Sequence, residues 1–257
     1  MKKIIDAHIH LDQYKEEELT AIFQEASLLE AIVSVSFDLQ SCKKNLSLSK
    51  AHSKVKPAFG FHPEQPLPSE SQLQTLVAWI EKNRYDMAAI GEVGLPYYLR
   101  KQKKNGSFSL NKYIELLETF IVLAKKWEKP IVLHAVYEDA PIVCDLLEKH
   151  SLSKAHFHWF KGDPKTIERM IQNGYFISVT PDVVYEKEIQ DLVRVYPMER
   201  LMVETDGPWP FEGPFKGIMT SPLMIHQSIE TIAALKKASI EDTYLKILVN
   251  TKKFYRI

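Results

Sequence analysis

The segment Asp6-Ala7-His8-Ile9-His10 lies in an apolar run, and on a strand its side chains at 6, 8 and 10 share one face while Ala7 and Ile9 take the other. Two imidazoles therefore converge. Neutral imidazole suits zinc and similar divalent ions, and an adjacent carboxylate either joins the ligand set or fixes a tautomer from behind. His62, Glu92, His134, His158 and Asp206 recur in the same manner, each near the end of a short apolar stretch. Ionisable side chains are seldom buried unless paired or metal-bound, so this recurrence needs a common cause, and a shared metal centre supplies one. His52, His150 and His226 fall in segments of helical period and read as surface or capping residues. His156 shares a strand face with His158 and reads as an inward hydrogen-bonding residue one layer deeper.

Such convergence requires several strands that end in one place. Eight β-type runs are legible, at 3–10, 31–37, 55–62, 87–94, 130–135, 154–160, 175–179 and 200–206. Amphipathic stretches such as 69–82 and 108–127 alternate with them, predicting repeated βα units of the α/β class: a single (β/α)8 TIM barrel filling residues 1–257 as one domain. The length of 257 residues suits this, since such barrels commonly need about 250. Ser69 and Asp163-Pro164 are expected to start the helices 70–82 and 165–173. The connections 95–107 and 207–221 look long, and both follow strand ends, where barrel enzymes build their sites. The basic run at 100–104 reads either as a solvated face or as a phosphate contact.

Thirty-three basic and 33 acidic side chains cancel, so no global field recruits a polyanion. Cys42 and Cys144 are far apart in sequence, which argues against a disulfide framework or a thiolate zinc site and fits a reducing cytoplasm. The chain enters its first strand at once, leaving no room for the apolar core of a signal peptide. No stretch nears the roughly 20 apolar residues of a membrane span.

The ordered set DAHIHL (6–11), GFHP (60–63), GEVGL (91–95), KPIVLHA (129–135), HWF (158–160), ETD (204–206) and Asn250-x-x-x-Phe254 resembles the TatD family over essentially the whole chain. Each motif alone is weak; their order and spacing carry the match. The resemblance implies a metal-dependent hydrolase on a (β/α)8 barrel, within the broader amidohydrolase-like group, whose characterised members act as deoxyribonucleases. It further implies that Glu92 bridges two divalent ions (zinc, magnesium, manganese or similar). His8, His10 and Asp206 would bind the first, His134 and His158 the second, and Asp6 would orient a histidine. A bridging carboxylate suits cations about 3.5–4 Å apart, and ions so placed bring the pKa of bound water toward about 7, with Asp206 as proton acceptor. His62 is implied to touch a substrate phosphate or leaving group, while capping the turn at Pro63 is its alternative role.

Three neighbours depart from the family's pattern. Pro96 stands where Asp usually follows GEVGL, Glu118 where an amide is usual, and Thr220-Ser221-Pro222 where Asn-Glu-Pro or Arg-Pro is usual. Substrate contacts around an intact ligand set are therefore expected to differ. Tyr97, Tyr98, Trp159, Phe160, Trp209 and Phe211 follow strand ends, where they either stack a base, line a pocket or belong to the core. Tyr97, Trp159 and Trp209 are the candidate substrate contacts, and the Pro-rich segment 208–214 is expected to form a rigid wall. Three functions fit. The first is cleavage of phosphodiesters at DNA ends, with Asp206, Glu92 and His62 as catalytic residues. The second is an amidohydrolase-like enzyme acting on a small amide or ester. The third is a non-catalytic metal-binding barrel, which the complete ligand set disfavours. No obligate protein partner is expected.

Overall fold

The computed structural model describes residues 2–102 and 108–257. Eight strands form one sheet in sequence order, each parallel to the next: β1 (Ile4–Ile9), β2 (Leu29–Ser34), β3 (Val55–Phe59), β4 (Ala89–Gly94), β5 (Ile131–His134), β6 (Ala155–Phe157), β7 (Phe176–Val179) and β8 (Leu201–Val203). Every run read from the sequence is a strand. β4 and β7 end where the apolar pattern does, but the other strands end sooner, so that His10, His62, His158 and Asp206 lie just past the ladder, where the chain is free to turn each side chain inward. The two-residue alternation of β1 is also interrupted, by a register shift between Asp6 and Ile9.

The barrel closes at the point where β1 meets the segment after β8. The Asp206 amide donates to the His8 carbonyl at 2.9 Å, and the His10 amide to the Gly207 carbonyl at 2.8 Å. The Asp6 carboxylate bolts the same seam, accepting the Thr205 amide at 3.0 Å and the Thr205 hydroxyl. Closure and the placing of His8 and Asp206 are thus one event.

Helices α1 (Glu16–Gln24), α2 (Leu39–Ala51), α3 (Glu70–Lys82), α4 (Tyr97–Gln102), α5 (Leu110–Lys126), α6 (Asp139–Lys149), α7 (Pro164–Gln172), α8 (Lys187–Val195), α9 (Ile225–Lys236) and α10 (Ile240–Tyr255) connect and cover the strands. The caps are as expected: Ser69 accepts the Gln72 amide while Gln72 returns to the Ser69 amide, and Asp163 accepts from Lys165 and Thr166 with Pro164 in the first turn. The connection 95–107 is not irregular throughout, because α4 occupies its first part; Lys103 and Lys104 of the basic run lie outside the described residues. Among the described residues no helix is long and apolar enough to cross a membrane.

Strand residues such as Ile32, Ile90, Leu133 and Ile177 pack with Phe120, Ile121 and Ile229 of the helices in the main core. A second cluster gathers small residues, Ala7, Ala58 and Ala89, around Phe254 and Tyr255, so the end of α10 fills space those alanines leave. Phe160, read as a possible stacking residue, is fully buried against Phe157 and belongs to the core.

At Gly94 β4 runs close against β5: a Cβ built there would lie 2.0 Å from the carbonyl oxygen of His134. Gly94→Ala should cost roughly 1–3 kcal/mol of overpacking. At this size the midpoint of thermal unfolding should fall by about 2–4 °C per kcal/mol. An unchanged midpoint would show that β4 and β5 are not so tightly opposed.

Candidate metal centre

Glu92 stands fully buried near the mouth, and its two oxygens divide the imidazoles around it. Oε2 faces His8 Nε2 at 3.1 Å and His10 Nε2 at 3.2 Å. Oε1 faces His158 Nε2 at 2.8 Å, His134 Nδ1 at 2.9 Å and His62 Nε2 at 3.2 Å. Asp206 Oδ1 completes the first group, 3.2 Å from His8 Nε2 and 3.5 Å from His10 Nε2. Each residue is held by backbone bonds to a neighbouring strand or loop: the Glu92 amide to Ser36, the His62 amide to Phe37 and the His158 amide to Leu133. Asp206 and Trp159 sit at φ values of 50° and 36°, left-handed conformations that non-glycine residues adopt rarely and that cluster at functional sites.

The electrostatics are those of a crowded, dry cluster. Burial opposes every charge here, yet His158, His62 and His8 together hold the Glu92 carboxyl well below its ordinary range. Asp206 is likewise lowered against its burial, chiefly by its close contacts with His10 and His8. His10 is raised to about 10 because its contacts with Asp206 and Glu92 outweigh its burial. His62 goes the other way, to about 4, since burial outweighs the pull of Glu92. Its Nδ1 accepts the Glu64 amide at 3.2 Å, so neutral His62 carries its hydrogen on Nε2, directed into the site.

His8 Nε2, Glu92 Oε2 and Asp206 Oδ1 are buried and have no hydrogen-bond partner among the described residues. Buried polar atoms without partners are costly, and a divalent cation satisfies all three at once. The donor set of imidazole nitrogens and carboxylate oxygens suits zinc, manganese and related ions. His8, His10 and Glu92 offer three ligand atoms close enough for one ion, as do His62, Glu92 and His134.

All seven residues expected to build a metal centre are buried; His8, His10, His134 and His158 contact Glu92, and Asp206 joins them through His8 and His10. Asp6 holds the backbone amides of His8 and Thr205 rather than an imidazole ring. His62 fills both of its expected roles, stabilising the turn through Nδ1 and pointing Nε2 at the site. Trp159 and Tyr97 are half-buried and Trp209 is exposed, while Phe211 is buried against Trp159. Glu118 and Thr220 do not alter the site as expected. Glu118 pairs with Lys149 and His150 on the outer surface, and Thr220 ties its own loop to Trp209 and Tyr14. His52 stacks on Phe23 and His226 bonds Tyr244, both away from the Glu92 cluster.

Two carboxylates escaped the sequence reading. Glu204 is fully buried, accepts the Trp159 amide at 2.6 Å and lies 3.6 Å from His158 Nδ1. Its place two residues before Asp206, which on an extended segment puts both carboxylates on one face, was the available signal. Glu64 lies 3.1 Å from His134 Nε2 and comes from a loop with no period to reveal it. Below them His156 bonds Tyr255 and Ser178, and Ser178 bonds Glu204, forming the deeper polar layer expected for His156.

The sequence profile of the family described as TatD related DNase matches residues 5–256. The chain belongs to this family. A relative from Haemophilus influenzae named a metal-dependent hydrolase is 38% identical over 255 residues, covering 99% of this chain and 100% of its own. The human protein named deoxyribonuclease TATDN3 is 29% identical over 268 residues, with 98% and 94% covered. The crystal structure of YjjV, a TatD homologue from Escherichia coli, superposes with a TM-score of 0.85 at 23% identity, covering 99% and 98% of the two chains, and shares the barrel fold. The TatD-related chain is thus a metal-dependent hydrolase, with a cluster chemically suited to holding its metal.

In the metal-free TatD-related protein, NMR titration should find His62 neutral down to about pH 5 and His10 still protonated at about pH 8. Titration of both near the ordinary value of 6.5 would contradict the assigned contacts.

Proposed function

We propose that this enzyme hydrolyses phosphodiesters at the ends of DNA, with two divalent ions on either side of Glu92. The observation that carries the reading is the division of the imidazoles between the two Glu92 oxygens, His8 and His10 on one, His134 and His158 on the other. With Asp206 on the first side, each half offers the ligands for one ion. Bound there, the ions supply an activated water and neutralise charge on the phosphate. The deoxyribonuclease name of the human relative supports the substrate class. Residues 1–257 are read as one catalytic domain, and the buried, unpaired Cys42 and Cys144 suit a cytoplasmic setting.

The chain's own groups divide the remaining work. Asp206 stays ionised at neutral pH and stands ready to accept the proton of an attacking water. His62, neutral and with its hydrogen on Nε2, is a donor to a phosphoryl or leaving-group oxygen. Tyr97, Tyr98 and Tyr137 form one aromatic wall beside His134, and Trp159 with Phe211 forms another. Trp209 is exposed on the loop after Asp206, and aromatic faces of this kind stack bases without sequence preference.

A second reading, a small amide or ester as substrate, is favoured by the fate of the basic run. Arg100 pairs with Asp139 at 2.6 Å and Lys101 with Glu138 at 2.7 Å, so these two cations are occupied and offer no track for a long phosphate backbone. Short single-stranded oligonucleotides assayed beside small phosphodiesters, esters and amides, with Mg, Mn or Zn, separate the two. Nucleotide release is the expected outcome; amide or ester turnover with none on DNA would overturn the nuclease assignment. Glu92→Ala should abolish both metal binding and hydrolysis. His62→Ala should lower kcat by about 10²–10⁴. Its metal content, measured by elemental analysis, should be unchanged, and loss of metal from that variant would make His62 a ligand instead.

A further inference from the structure

Helix α4 begins on a residue that cannot cap it. Pro96 occupies the N-cap position, its carbonyl accepting the Arg100 amide at 3.0 Å, and a residue there ordinarily offers a side-chain acceptor to the amides two and three positions on. Proline has none. The amides of Tyr98 and Leu99 are instead taken by Glu64, from the loop after β3, at 2.8 Å to Oε1 and 2.6 Å to Oε2. The same Oε1 lies 3.1 Å from His134 Nε2. Both ring nitrogens of His134 thus face a carboxylate, Nε2 that of Glu64 and Nδ1 that of Glu92 at 2.9 Å; a ring whose Nδ1 holds a cation keeps its hydrogen on Nε2, and there Glu64 is the acceptor.

We propose that Glu64 is a positioning residue with two functions: it caps α4 in place of residue 96, and it holds His134 with Nδ1 presented to the metal centre. The sequence departure at Pro96 and the presence of Glu64 thereby become one feature, a cap supplied from another loop. Because that cap also grips His134, it couples the tyrosine wall carried by α4 to a ligand of the site. The second function rests on the two-ion reading above, whereas the first does not.

Four proteins separate them: wild type, Glu64→Ala, Glu64→Gln, and the double variant Glu64→Ala/Pro96→Asp, in which a local acceptor returns to the N-cap. Two measurements suffice: hydrogen exchange of the 97–102 amides in metal-free protein, and zinc affinity by competition with a chelator. Glu64→Ala should speed exchange at Tyr98 and Leu99 about tenfold. It should also weaken zinc binding by about 10–100-fold. The double variant should recover slow exchange without recovering zinc affinity. Glu64→Gln, which keeps the shape but has one acceptor oxygen for three donors, should show at least one of the two losses if Glu64→Ala does not fold. Unchanged exchange in Glu64→Ala would overturn the capping function. Recovery of zinc affinity in the double variant would overturn the direct hold on His134, since α4 alone would then suffice. If the wild type binds no zinc, the two-ion reading and the hold on His134 fall together, while exchange still decides the cap.

Discussion

A carboxylate buried without compensation costs several kcal/mol even after relaxation, and Glu92 is buried completely near the axis of the barrel. Its surroundings are the compensation. His8, His10, His62, His134 and His158 each place a ring nitrogen within 3.2 Å of one of its oxygens, and they come from four different strands and their extensions besides its own. Without the barrel these groups do not meet; without the groups the carboxylate cannot remain ionised at the centre. The closure of the sheet at His8, His10, Asp206 and Gly207 shows the same dependence at the seam.

Around this centre the chain is layered. The upper layer carries the aromatic walls and α4, held by Glu64. The middle layer holds Glu92 and its imidazoles. The lower layer runs from Glu204 through Ser178 and His156 to Tyr255, whose hydroxyl donates to the Ala7 carbonyl at 3.0 Å. Burial keeps His156 neutral, with its pKa lowered well below the ordinary value, so this layer fixes orientation without adding positive charge beneath the Glu92 cluster. Tyr255 belongs to the last turn of α10, which ties the end of that helix to the first strand of the barrel.

The fold was legible in the sequence because each strand is a compact apolar run between helices of clear period. The cluster around Glu92 was legible because ionisable residues at the ends of such runs have no structural reason to be there. The ends of β2, β3, β6 and β8 were read three residues too late, since an apolar pattern such as that of 200–206 continues past the last ladder residue, Val203, into segments that only converge at the mouth. Glu64 was not legible, as its partners are amides of a short helix 34 and 35 residues away, and nothing local marks a carboxylate in a Pro-rich loop. Glu118 misled for the opposite reason. Its position in the family pattern suggested the site, while its place on the outside of α5 gives it Lys149 and His150.

The central claim is that Glu92 serves two ions, one through each oxygen. Anomalous diffraction from crystals grown with zinc or manganese tests it most directly. Two peaks about 3.5–4 Å apart are predicted, one against His8, His10 and Asp206, the other against His134 and His158, with Glu92 between them. A single peak, or ions that leave Glu92 outside their coordination, would contradict it.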